Sequence, residues 1–117
     1  MCVQVKAICH CESCRKWTAS CMMVNLFPVY AVTIEGETYT HKTVLLRKTC
    51  IKCKSPVVND HAAAMQLIDV PGGVLNVPVA PTMHLNYAEK ILAFKDGLPK
   101  FKDLPAAFHG SDEKLED

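Results

Sequence analysis

Apolar residues in this chain come in short runs broken by prolines, glycines and charges. Met22-Met23-Val24-Asn25-Leu26-Phe27 is one such run, Pro28 marks a bend, and Val29-Tyr30-Ala31-Val32-Thr33-Ile34 resumes in β-prone residues, so both runs predict strands. Glu35-Gly36-Glu37 predicts a turn, after which Thr38-Tyr39-Thr40 and Thr43-Val44-Leu45-Leu46-Arg47 lead into Cys50 as further strands. Pro56-Val57-Val58, Met65-Gln66-Leu67-Ile68-Asp69-Val70 and Val74-Leu75-Asn76-Val77 are strand candidates separated by Asn59-Asp60 and Pro71-Gly72-Gly73. Helical signals are confined to Cys11 to Thr18, one or two turns, and Tyr87 to Phe94, which lacks a good cap and reads equally as a strand. The expectation is a mainly β fold with one short helix.

Size and composition narrow the class. A chain of 117 residues suits a single domain, taken here as residues 1–109, and Gly110 to Asp117 is acidic and weakly apolar, which predicts a mobile tail. No internal repeat is visible. The balance of 13 basic and 12 acidic residues leaves no electrostatic footprint for nucleic acid or an anionic membrane. No apolar stretch approaches the roughly 18 residues of a membrane span. The start, Met1-Cys2-Val3-Gln4-Val5-Lys6, does not resemble a secretory signal, and a cytoplasmic location is expected.

The cysteines carry the candidate chemistry. Seven of them, odd in number and tightly clustered, suit metal binding in a reducing compartment better than a disulfide scaffold. Cys9-His10-Cys11-Glu12-Ser13-Cys14 places three thiols where strand alternation followed by a tight turn lets them converge on one ion, and Cys50-Ile51-Lys52-Cys53 adds a second pair. Three protein ligands and an open position are the arrangement that lets zinc bind a substrate or water. Two other readings stay open. Cys11, Cys14, Cys50 and Cys53 can close one structural zinc site of ribbon type, although the spacer exceeds the roughly 15 to 20 residues of compact ribbons. Alternatively the two Cys-x-x-Cys pairs are redox dithiols, but neither has a thioredoxin-like context. Cys2 and Cys21 lie outside the clusters and read as small packed hydrophobes.

Neighbouring residues have both a plain and a chemical reading. Alternation turns His10 away from its flanking thiols, towards solvent or a supporting role. His84 is an ordinary strand histidine or a polar group beside the cleft. Arg15 and Lys16 sit on a solvated helix face, or lower a nearby thiol pKa or receive a substrate carboxylate. Trp17 could stack on substrate but is expected in the core. Asp96-Gly97-Leu98-Pro99 is explained as a turn without any chemistry.

Ile8-Cys9-His10-Cys11-Glu12-Ser13-Cys14-Arg15-Lys16-Trp17-Thr18-Ala19-Ser20 resembles the signature of the glutathione-dependent formaldehyde-activating enzyme family, which also includes centromere protein V. Arg47-Lys48-Thr49-Cys50-Ile51-Lys52-Cys53-Lys54-Ser55-Pro56 resembles that family's second cysteine motif, and His84 with Asp96-Gly97-Leu98-Pro99-Lys100-Phe101 its C-terminal pattern. The resemblance implies an Mss4-like zinc-binding fold of curled antiparallel sheets. It implies a catalytic zinc on Cys9, Cys11 and Cys14, and a separate structural zinc half held by Cys50 and Cys53, with the other half a Cys-x-Cys upstream that this sequence lacks. A homodimer sharing cysteines is one way to complete that half-site. The implied activity is a carbon-sulfur lyase type reaction of a thiol with a small aldehyde, glutathione plus formaldehyde giving S-hydroxymethylglutathione. The competing class is a non-catalytic zinc module that binds another protein. Ala19 stands where the family usually has glycine, and Lys54 replaces the glycine of a usual Cys-Gly-Ser.

Overall fold

The computed structural model describes residues 5–42, 46–76, 78 and 80–116. The chain divides into two units, one centred on residues 24–79 and the other combining residues 6–23 with 80–117. Among the described residues there are seven strands and only two short helices, so the fold is mainly β as expected.

The first unit is an antiparallel sheet. Strand β2 (Met22–Pro28) pairs with β6 (Leu67–Asp69), β6 with β5 (Pro56–His61), β5 with β4 (Leu46–Cys50), and β4 with β3 (Thr38–Lys42), which ends the series. The register sets Arg47 opposite Asn59, Asn59 opposite Asp69, and Asp69 opposite Leu26. Directly opposed residues share a face, so Arg47, Asn59 and Asp69 form a polar row that is buried throughout. The Asn25 main-chain N–H donates to Asp69 Oδ1 at 3.1 Å, and the Asn25 side chain donates to the Val70 carbonyl at 3.2 Å. Apolar packing comes from Val58, Ile68 and Val70 against Phe27, Val32, Ile34, Val57 and Leu75. Each fully buried aliphatic side chain of this kind contributes about 1.5–3 kcal/mol.

Several predicted strands take other forms. Val29-Tyr30-Ala31 winds into a 3-10 turn after Pro28, with Val32 N–H donating to the Val29 carbonyl, and Tyr30 is left 80% exposed. Gly72-Gly73-Val74 forms a second such turn in place of a strand starting at Val74, and Val77 lies outside the described residues. The run predicted from Met65 to Val70 opens with helix α2 (Ala62–Met65), reverses at Gln66 in the left-handed region, and keeps only Leu67 to Asp69 as strand. Thr43 to Leu45 also lie outside the described residues, and β4 begins at Leu46.

In the second unit β1 (Val5–Cys9) pairs in parallel with β7 (Met83–Leu85), setting Ile8 opposite His84 and Cys9 opposite Leu85. Parallel pairing here departs from the expected purely antiparallel sheets. Tyr87 to Phe94, expected as helix or strand, holds only a 3-10 turn over Tyr87-Ala88-Glu89, because Lys90 returns to extended backbone. Residues 110–116, the expected tail, run alongside residues 100–102: Lys102 N–H donates to the Glu113 carbonyl at 2.8 Å and Leu115 N–H to the Lys100 carbonyl at 2.7 Å.

Candidate metal centre

Strand β1 delivers Cys9 to its end, and the chain is fixed there because His10 N–H donates to the Leu85 carbonyl at 3.0 Å. Cys11 is extended and caps helix α1 (Glu12–Thr18), its Sγ accepting the Cys14 main-chain N–H at 3.3 Å. Glu12 in the first turn and Arg15 and Lys16 in the last suit the helix dipole. The helix ends at Ala19, whose φ of 62° is left-handed, which accounts for the family's preference for glycine there. Strand end, cap and first turn bring the sulfurs of Cys9, Cys11 and Cys14 within 4.8 Å of one another.

Cys9 and Cys14 are buried and Cys11 is partly so. The Cys9 thiol is pushed up to about 11, first by its hydrogen bond with Cys11 and further by burial, although a bond with Cys14 opposes the rise. Hydrogen bonds with Cys11 and Cys9 and then burial raise the Cys14 thiol as well. Thiols crowded this closely resist sharing several negative charges unless a cation neutralises them. Two amide donors already point at sulfur, Cys14 N–H at Cys11 and the Asn86 side-chain amide at Cys9, 3.4 Å away. Soft donors, close convergence and N–H groups directed at sulfur fit a thiolate-preferring metal such as zinc. The trio could therefore hold a metal ion.

A buried polar chain starts beside it. His10, between two thiol-bearing residues, is fully buried, and its Nε2 lies 2.8 Å from His84 Nδ1. His84, also fully buried, reaches Asp96 Oδ2 through Nε2 at 2.7 Å, and Asp96 Oδ1 accepts from Lys100 Nζ at 2.9 Å. Tyr87 and Phe94 meet the His10 ring edge-on, with centroids 4.9 and 5.5 Å away. Burial first, then the charges of His84, Lys90 and Arg15, bring His10 down to about 4. Burial works to raise Asp96, but the bonds from Lys100 and His84 outweigh it and hold the carboxylate ionised.

Asp96, expected as a turn residue without chemistry, is thus the hub of this chain, and His84 is one of its buried members. Lys100 belongs to the C-terminal family pattern but had no role assigned to it, and Asn86 was not anticipated; Asn86 is left-handed, a conformation asparagine tolerates, and that is its one local signal. Arg15 Nε donates to the His10 carbonyl at 3.0 Å, while Lys16 is exposed and pairs with Glu12 at 2.6 Å, the solvated-face reading. Trp17 is only half-buried and not a core residue. Cys21 is half-buried and Cys2 lies outside the described residues.

Cys50 and Cys53 are not members of the trio. Cys50 ends β4, and its carbonyl accepts the Lys54 N–H at 3.0 Å across the turn. Lys54 keeps the left-handed conformation of the family glycine, with φ 67°, so the turn tolerates the strain. Cys53 is exposed, and the Ser55 hydroxyl, 3.3 Å away, is the first cause holding its thiol at about 7. A cavity of about 520 Å³ lies against Cys50, Ile34, Glu37, Lys52 and Val57.

Fold and site together define a small, mainly β protein with a three-thiol centre competent to bind a metal. A sequence model described as glutathione-dependent formaldehyde-activating enzyme matches residues 3–89, most of the chain, and the protein belongs to that family. Membership supports glutathione-dependent activation of formaldehyde as the general function. A search of curated proteins gives no match. Among the described residues no helix is long and apolar enough to cross a membrane.

Proposed function

We propose that this protein is a zinc-dependent enzyme of carbon-sulfur lyase type that joins glutathione to formaldehyde as S-hydroxymethylglutathione. In that reaction the thiol sulfur bonds to the aldehyde carbon, the carbonyl π bond opens, and the thiol proton ends on the new hydroxyl oxygen. The observation that carries the reading is the convergence of three sulfurs within 4.8 Å in a chain of this family. Cys9, Cys11 and Cys14 would hold the zinc, whose open position would lower the pKa of a bound thiol and polarise an aldehyde oxygen.

The chain's own groups prepare that centre. The Asn86 amide and the Cys14 N–H stabilise sulfur charge at Cys9 and Cys11, and Arg15 ties the intervening His10 carbonyl to helix α1. Three thiolates already carry more negative charge than zinc is positive, so the site favours delivery of a reactive thiol over strong carbonyl activation. Cys50 and Cys53 are assigned to a second, structural zinc whose further ligands lie outside this pair. Reduced clustered thiols and a glutathione substrate suit the cytoplasm.

Exchange between free and adducted carbon-13 formaldehyde in the presence of glutathione, followed by NMR, tests the activity. The wild-type protein is expected to accelerate exchange above the spontaneous rate, and folded Cys11→Ser to return it to that rate. Equal acceleration by the variant contradicts the assignment of Cys11. A folded, zinc-loaded wild type that leaves exchange at the spontaneous rate supports the non-catalytic zinc module.

A further inference from the structure

The chain Lys100, Asp96, His84, His10 has a direction that follows from its end groups. An ionised carboxylate only accepts, so the hydrogen between Asp96 and His84 belongs to His84 Nε2. With that hydrogen on Nε2, His84 Nδ1 is the atom that accepts when His10 donates through its own Nε2, 2.8 Å away. His10 Nδ1 is left as a bare lone pair, and it is buried with no hydrogen-bond partner among the described residues. The opposite direction would bury an unpartnered N–H in the same place, the rarer and costlier defect.

This array meets the thiol trio at one residue. His10 is held at three points: its N–H by Leu85, its carbonyl by Arg15, and its ring by His84, with Tyr87 and Phe94 edge-on to it. Cys9 and Cys11 are its covalent neighbours, so a shift of the His10 backbone, which the anchored ring opposes, moves two of the three sulfurs. Lys100 is 2% exposed and also donates to the Leu98 carbonyl at 3.0 Å, while Leu98 N–H donates back to Asp96 Oδ1 at 3.0 Å. The far end of the chain is therefore anchored by the turn that carries it.

We propose that Asp96 is a positioning residue for the thiol trio: it fixes the hydrogen on His84 Nε2, through it the tautomer and ring orientation of His10, and hence the placement of Cys9 and Cys11. This rests on the reading of the three thiols as metal ligands. It extends to a turn aspartate the general behaviour of groups that orient metal ligands without touching the metal.

Long-range proton–nitrogen NMR of the metal-free, reduced, full chain reads each ring nitrogen as protonated or bare. The expected result is Nε2–H with a bare Nδ1 on both His10 and His84. A hydrogen on His10 Nδ1 overturns the proposal without recourse to any variant. In Asp96→Asn the amide can donate or accept, so both rings are expected to show mixed tautomers. Cobalt(II) binding to that variant, followed by thiolate charge-transfer absorption, is expected to weaken about 10- to 100-fold with the sulfur ligands retained. Wild-type ring signals and wild-type cobalt affinity in folded Asp96→Asn overturn the positioning role and leave the trio standing as a metal site. A wild type that shows no thiolate–cobalt absorption overturns both readings.

Discussion

A trio of sulfurs within 4.8 Å of one another resists carrying several negative charges, a constraint that a bound metal would relieve. The Cys9 thiol, pushed up to about 11 by its bond with Cys11 and by burial, and the Cys14 thiol, raised by the same neighbours, both carry hydrogens at neutral pH. Zinc binding must expel those hydrogens, so calorimetry in buffers of different ionisation enthalpy is expected to show at least about two protons released per zinc at neutral pH, with affinity falling as pH is lowered. Release well under one proton would mean that these thiols are not the ligands. Asp69 behaves differently. Burial raises it to about 7, against the opposing effects of the Asn25 N–H and the Arg47 charge. Its folded value exceeds its unfolded value, so the native state binds the extra proton and stability falls as pH rises from about 4 through 7. Asp69→Asn, which keeps an oxygen for the Asn25 N–H, is expected to flatten that slope in denaturant titrations. An unchanged slope would place the titration elsewhere. Asp96, held low by Lys100 and His84, acts in the opposite sense and loses its contribution only below about pH 4.

At the scale of elements, the helix that carries Cys11 and Cys14 ends on a strained residue. Ala19 is exposed with φ 62°, so Ala19→Gly removes a left-handed penalty of about 1 kcal/mol and loses no packing. A rise in Tm of a few degrees is expected by calorimetry, and a fall would show that another contact holds this turn. The helix was legible over Cys11 to Thr18 because its determinants are local, and the structure shows them as a Cys11 side-chain cap, an acid in the first turn and bases in the last. Strands β2, β3 and β5 were legible for the same reason. The misses at Val29 and Val74 share a cause. Both runs have β propensity, but each follows a proline whose extended ψ feeds a 3-10 turn, and the residue after Pro28 is tied to Gln66 by a main-chain bond. Tertiary hydrogen bonding there overrides propensity.

At the scale of the whole molecule, what escaped the sequence is what depends on distant pairing. Strand β7 is three residues long and has no local signature; it exists because Met83, His84 and Leu85 pair with Ala7, Ile8 and Cys9. The same pairing sets His84 beside the Cys-His-Cys segment and turns an unremarkable strand histidine into part of a buried chain. The thiol trio was legible as a candidate because its spacing is local; its supporting groups lie more than 70 residues further on, where Asp96 and Lys100 stood out only as part of a family resemblance without a role, and Asn86 not at all. Since the trio lies within a single unit, replacing Cys50 and Cys53 together by serine is expected to leave the cobalt spectrum of the Cys9, Cys11, Cys14 centre unchanged. Loss of that spectrum in a folded double variant would restore the ribbon reading, in which one zinc bridges the two cysteine motifs.

Zinc-edge X-ray absorption on the reduced Cys50→Ser, Cys53→Ser protein, with zinc per chain measured on the same sample, decides whether Cys9, Cys11 and Cys14 hold zinc with a position left open. The expected result is one zinc with three sulfurs near 2.3 Å and one light atom near 2.0 Å, about the usual zinc–thiolate and zinc–oxygen or –nitrogen distances. Four sulfurs, or no bound zinc in the folded protein, would contradict an open three-thiol centre.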